Sequence, residues 1–225
     1  MSGQMIDFQA NGQTFQGYLA TGAAKGPGII VIQEWWGLVD HIKNVCDRFV
    51  KEGFTAFAPD FYHGKKTTSP DEAGKMFMAL NIAEAEKILR GAIGALLAHP
   101  SCSSKKAGVV GFCMGGQLSL YAAATNPDQV AACVDFYGIH PNVHPPLENL
   151  KAPVLGIFGE KDSGVNPGVV GELSAKLKQL GKQHEFHIYK DREHAFFNDT
   201  RPVHHAGDAA DAWRRTVEFF RKNIA

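Results

Sequence analysis

The chain has 225 residues, 44% of them apolar and 20% charged, which suits one globular α/β domain over residues 1–225 with a large core. Lysine plus arginine and aspartate plus glutamate both number 23, so the formal net charge is zero and no nucleic-acid partner driven by bulk charge is expected. The start has neither a basic n-region nor an apolar h-region, no apolar run is long enough for a membrane span, and Cys46, Cys102, Cys113 and Cys133 lack C-x-x-C spacing. Together these lead us to expect reduced thiols in a cytoplasm, with no membrane partner.

In chain order, residues 5–10 and 14–19 alternate around Asn11-Gly12, the signal of an antiparallel hairpin. Residues 28–33 read as a buried strand, 40–51 as an amphipathic helix ended by Gly53, and 54–58 as a second buried strand stopped by Pro59. Residues 65–74 are polar and read as loop; 81–99 follow as a long helix closed by Pro100. Strands are predicted at 107–110, 130–137, 154–159 and 184–189, with helices from 117 to about 125, over 168–180 and over 206–223. Buried strands alternating with amphipathic helices predict an α/β fold, a mostly parallel central sheet with helices on both faces. The connection 138–152 is too short for a large cap domain, so loops should roof any pocket.

The most specific motif is Gly111-Phe112-Cys113-Met114-Gly115-Gly116, between a predicted strand and a predicted helix. Strand, Gly-x-nucleophile-x-Gly, helix is the nucleophile elbow of the α/β-hydrolase fold, here with cysteine in the nucleophile's place. Glycines are needed because the sharp turn leaves no room for a side chain on either flank. The positive end of the following helix favours a thiolate at Cys113. Such a nucleophile needs a base and an orienting acid, in chain order nucleophile, acid, base. Asp162 follows the strand 154–159, and His194 follows the strand 184–189, both at carboxyl ends where open α/β sheets build their sites. Glu160 is the alternative acid.

The oxyanion hole is expected to use the backbone N–H of Met114 and a second N–H from the loop after residues 28–33, with Trp35 the candidate. Glu34, at the end of an interior strand, is costly to bury unless paired or used. It opposes thiolate formation but can take the thiol proton, and the plainer reading is an ion pair with arginine. Aromatic residues Trp36, Tyr62, Phe136, Phe196 and Phe197 are expected to line the pocket, with Asn198 and Arg201 as polar contacts. Pairs such as His140/His144, His184/His187 and His204/His205 match no zinc pattern, so no metal and no cofactor is expected.

Five segments in order across nearly the whole chain resemble the dienelactone hydrolase family. They are Gln33-Glu34-Trp35-Trp36-Gly37, Ala58-Pro59-Asp60-Phe61-Tyr62, the elbow, Gly159-Glu160-Lys161-Asp162 and His194-Ala195-Phe196. The resemblance implies a single-domain α/β-hydrolase with a Cys113, His194 and Asp162 triad. It also implies that Glu34 accepts or holds the thiol proton and couples activation to substrate binding. Members acting on dienelactone place one arginine four residues after the catalytic histidine and another before the helix that follows the Ala-Pro-Asp strand. Here the first position is Asn198, and no arginine lies between Tyr62 and Arg90. Arg201 and Lys75 remain as substitutes, though a lysine lacks the bidentate fork.

The expected reaction is cleavage of a small ester or lactone through a thioester on Cys113, with small neutral or aromatic substrates preferred. An esterase or thioesterase for uncharged acyl groups and a non-catalytic ligand-binding domain are the alternatives. The sequence leaves the oligomeric state open and is compatible with a monomer.

Overall fold

The computed structural model describes residues 3–224. Strands β1 (Gln4–Ala10) and β2 (Gln13–Ala20) pair antiparallel. Asn11 and Gly12 between them take φ values of 49° and 76°, the left-handed pair that a two-residue hairpin requires. The other strands are β3 (Gly28–Ile32), β4 (Thr55–Pro59), β5 (Ala107–Phe112), β6 (Val130–Phe136), β7 (Val154–Gly159) and β8 (His184–Tyr189). They form one open sheet in the order β1-β2-β4-β3-β5-β6-β7-β8. Strand β2 meets β4 antiparallel, and every pairing from β4 through β8 is parallel.

The central strands are apolar on both faces because both faces are covered. Ile30, Ile32 and Val109 face a core completed by α3 (Ile82–Ala98) and α4 (Met114–Thr125). Ile29, Val31, Val110 and Phe112 face the opposite core, which α1 (Asp40–Lys51) and α6 (Ala206–Asn223) close. Each large aliphatic or aromatic side chain so buried contributes about 1.5–3 kcal/mol relative to exposure. Helix α5 (Pro167–Gln179) buries Val170 and Leu177 near β8.

One expectation needs correction. Residues 65–74 are not all loop, since α2 (Pro70–Met78) starts inside them. Ala73 is its only fully buried residue, and nine residues are too few for a long apolar stripe to stand out. The local signal was Ser69 at the N-cap followed by Pro70, where a missing N–H costs nothing. The helix is tied to the long connection after β6, where His140 Nε2 donates to the Phe77 carbonyl at 2.9 Å. That connection holds only one short 3₁₀ turn, Leu147–Asn149. Among the described residues, no helix is long and apolar enough to cross a membrane.

Candidate active site

The site stands at the carboxyl ends of β3, β5, β7 and β8. Between β5 and α4, Cys113 sits at φ 56°, ψ −118°, a conformation a side chain adopts only where its surroundings enforce it. Its N–H donates to the Phe136 carbonyl (3.0 Å), and its carbonyl accepts from Gly116 (2.9 Å) and Ile139 (3.1 Å). A Cβ at Gly111 would collide with the Gly115 carbonyl, and one at Gly115 with the carbonyls of Ile32 and Gln33. The glycines are therefore a packing requirement of the turn.

Asp162 and His194 meet across the β7 and β8 loops, with Oδ2 and Nδ1 2.6 Å apart. The other carboxylate oxygen of Asp162 accepts from the N–H groups of Gly164 (2.8 Å) and Val165 (2.9 Å), which fixes its orientation. Burial raises the Asp162 carboxyl, but His194 and these two N–H groups outweigh it and hold the group below its usual range. Burial likewise pulls the His194 imidazole down, while Asp162 and the Cys113 sulfur raise it, to about 10. Glu160 instead accepts from the Asp191 N–H at 2.9 Å on the surface, and Asp191 pairs with Lys161.

Glu34 is 1% exposed. Asn198 Nδ2 donates to it at 2.7 Å, while Asn198 Oδ1 accepts from the N–H (2.9 Å) and hydroxyl (2.7 Å) of Thr200. Burial pushes the Glu34 carboxyl up; His41, His194, Asn198 and Arg201 offset this only in part. No arginine forms an ion pair with it among the described residues.

A cavity of about 490 Å³ opens over Cys113 and His194. Trp35, Trp36, Phe77, Ile139, Arg201 and Val203 contribute to its wall. Of the residues expected at the pocket, Trp36 and Arg201 border this cavity, whereas Tyr62, Phe136, Phe196, Phe197 and Asn198 do not. The Tyr62 hydroxyl turns to Met114 Sδ at 3.1 Å. Phe136 and Phe197 pack on Phe112, with ring centroids 4.7 and 5.3 Å away, and Phe196 packs on Tyr189 at 5.0 Å. These rings belong to the core beneath the site, because apolar surface is better buried than left facing a wet cavity. Asn198 is spent on Glu34 and is not among the cavity residues.

The Arg201 guanidinium stands over Trp36, 3.7 Å from the ring centroid, with its Nε buried and unpartnered. No carboxylate pairs with it within 4.0 Å among the described residues. Lys75 instead borders a separate surface groove.

Sequence reasoning missed Phe77, in a helix of which it read only residues 70–74, as loop, and Tyr137. The latter is fully buried at φ 42°, with its ring centroid 4.9 Å from that of His194 and its hydroxyl unpartnered. No signal in the chain other than its place after β6 points to it.

The family model described as the Dienelactone hydrolase family matches residues 15–224. Protein usf of Aquifex pyrophilus is 42% identical, covering 99% of this chain and 99% of its own length. An Aquifex aeolicus (strain VF5) protein provisionally named a carboxymethylenebutenolidase is 36% identical, covering 97% of this chain and 98% of its own. Among solved structures, one provisionally assigned as a dienelactone hydrolase of Klebsiella pneumoniae superposes with a TM-score of 0.85 at 26% identity. It covers 97% of this chain and 99% of its own.

Proposed function

The chain belongs to the dienelactone hydrolase family, and we propose that it hydrolyses small carboxylate-bearing esters or lactones through a thioester on Cys113. The observation that carries this reading is Cys113 on a strained elbow, sharing a cavity with the His194–Asp162 pair. The bond to Asp162 favours the charged form of the His194 imidazole, which in that form is no acceptor for the thiol proton. Glu34, whose burial makes it a better base, takes that proton instead. The Cys113 sulfur then attacks the carbonyl carbon, and the N–H groups of Met114 and Trp35 hold the oxyanion. His194 donates its proton to the leaving oxygen, the carbon–oxygen bond breaks and the thioester remains.

The neutral His194 next takes a proton from water, whose oxygen attacks the thioester. Collapse breaks the carbon–sulfur bond and releases the acid. The proton on Glu34 returns to the sulfur, so one water is consumed and every group is restored. Asp162 keeps the imidazole oriented throughout.

Arg201 supports the carboxylate on the substrate. A guanidinium with no acid partner, half-buried beside an apolar wall, lacks the counter-charge that a substrate carboxylate supplies bidentately. This reading departs from the preference for neutral substrates expected from Asn198.

The test is mass spectrometry on protein quenched during turnover of a lactone and an aryl ester. Wild-type protein should carry the acyl mass on the peptide containing Cys113. Cys113→Ala should lose the adduct and on the order of 10³-fold or more in kcat. Near-normal turnover of Cys113→Ala would remove the cysteine mechanism.

A further inference from the structure

The proposed cycle leaves His41 unused. This residue lies in the first turn of α1 and is only 5% exposed. Its ring packs against Phe112, the residue before the nucleophile, and against Phe197, with both centroid distances 6.3 Å. Nδ1 meets Asp199 Oδ1 at 2.9 Å, while Nε2 is buried with no partner. Asp199 directly follows Asn198, which holds Glu34 at 2.7 Å. Two consecutive residues of one turn therefore grip His41 and Glu34, and both grips close under the elbow.

A buried imidazole among aromatic rings is expensive to charge. What the imidazole adds is a link between the helix and the turn: Asp199 accepts the Nδ1 hydrogen, and Nε2 faces the core without a partner. The Asp199 side chain is 56% exposed and holds the ring from the solvent side.

We propose that His41, held by Asp199, is a positioning residue for Glu34 that sets whether its carboxylate is free to take the Cys113 proton. The inference rests on the reading of Glu34 as the base. The groups facing the pair are few. Glu34 is faced by His194 and Arg201 from the segment after β8 and by Tyr137 after β6. His41 is faced by Asp199, whose carboxylate also draws on Arg48 of α1. His41 stands with His194 and Arg201 among the groups that pull the Glu34 carboxyl down. Removing it must raise the Glu34 carboxyl, so the acid limb of thiol activation must move to higher pH.

The experiment follows the pH dependence of iodoacetamide labelling at Cys113, read by peptide mass, together with kcat/KM. Glu34→Gln, His41→Gln, Asp199→Asn and the double variant Glu34→Gln/His41→Gln are compared with wild type. His41→Gln should move the acid limb of both profiles upward by about one pH unit or more. Asp199→Asn should move it the same way by less. In the Glu34→Gln background, His41→Gln should move neither profile, a result that a purely structural clamp would not produce.

If Glu34→Gln alters the profiles while His41→Gln and Asp199→Asn leave them in place, the His41 proposal fails and the Glu34 reading stands. If Glu34→Gln itself changes nothing, both fail. Should His41→Gln not fold, the exposed Asp199→Asn carries the decision.

Discussion

Asp162 and Glu160 lie two residues apart on one loop, and sequence spacing alone cannot separate them. What separates them is backbone direction. Asp162 is fixed by two N–H groups and meets His194, whereas Glu160 bonds the Asp191 N–H at the surface. Asp162→Asn should cut kcat by on the order of 10²-fold or more by misorienting His194, while Glu160→Gln stays within about twofold. The reverse pattern in steady-state assays would transfer the role. Asp135, at the end of β6, makes a different kind of prediction. It is 1% exposed, one oxygen accepts from the Gly138 N–H at 2.7 Å, and the other has no partner. Burial raises its carboxyl to about 7, against the pull of Gly138 and His194. Below its unfolded value of about 4 the group is neutral in both states and costs nothing. As pH rises from there toward 7 the unfolded chain releases a proton that the folded chain keeps, and stability falls. Above 7 the full cost is present. Asp135→Asn keeps the acceptor for Gly138 and cannot ionise. Urea titrations should find it more stable than wild type at pH 8, by up to about 4 kcal/mol, with little gain at pH 4. An equal gain at both values would show that ionisation of Asp135 is not the cause.

Among the elements, the hairpin, the central strands and the elbow were legible because each follows from a local rule. Asn11-Gly12 fits a left-handed turn, apolar runs fit a sheet covered twice, and three glycines fit a bend with no space for Cβ. Helix α2 was legible only in its Ser69-Pro70 cap, since Ala73 is its one fully buried residue and Met76 and Phe77 pack only half-buried against the core. Several residues expected at the pocket lie instead in the core beside it. Sequence gives Phe136, Phe196 and Phe197 the right address near strand ends, but not the direction of the side chain, which core packing decides. Glycine substitutions distinguish the two elements. Gly111→Ala must displace the Gly115 carbonyl and should destabilise the fold by several kcal/mol or prevent it. Gly74→Ala, in α2, meets only Trp35 at 3.9 Å, an ordinary contact. It should stabilise the protein by about 0.5–1 kcal/mol through the higher helix propensity of alanine. Thermal melts of the two variants should move in opposite directions. A Gly111→Ala protein with wild-type stability would mean that the elbow is looser than its geometry implies.

At the scale of the whole molecule, the 23 basic and 23 acidic residues cancel, so net charge does not favour an anionic substrate. Any choice between charged and neutral substrates must then be made inside the cavity. Glu34, Asp162, His194 and Arg201 are the ionisable groups there besides Cys113. Asp162 is committed to His194 and Glu34 to Asn198, whereas Arg201 over Trp36 pairs with no carboxylate among the described residues, which is why recognition is proposed for it. A lactone bearing a carboxylate should therefore be preferred over its own methyl ester by about 10-fold or more in kcat/KM, a difference of about 1.4 kcal/mol in transition-state binding. Arg201→Ala should remove that preference mainly through KM, because the guanidinium holds a part of the substrate that does not react. Arg201→Lys should restore it only in part, since a lysine offers neither the planar fork nor the same stacking on Trp36. If wild-type protein instead favours the methyl ester, Arg201 serves only to cover Trp36. The cavity then acts as an apolar site, and the neutral preference first expected from Asn198 holds after all.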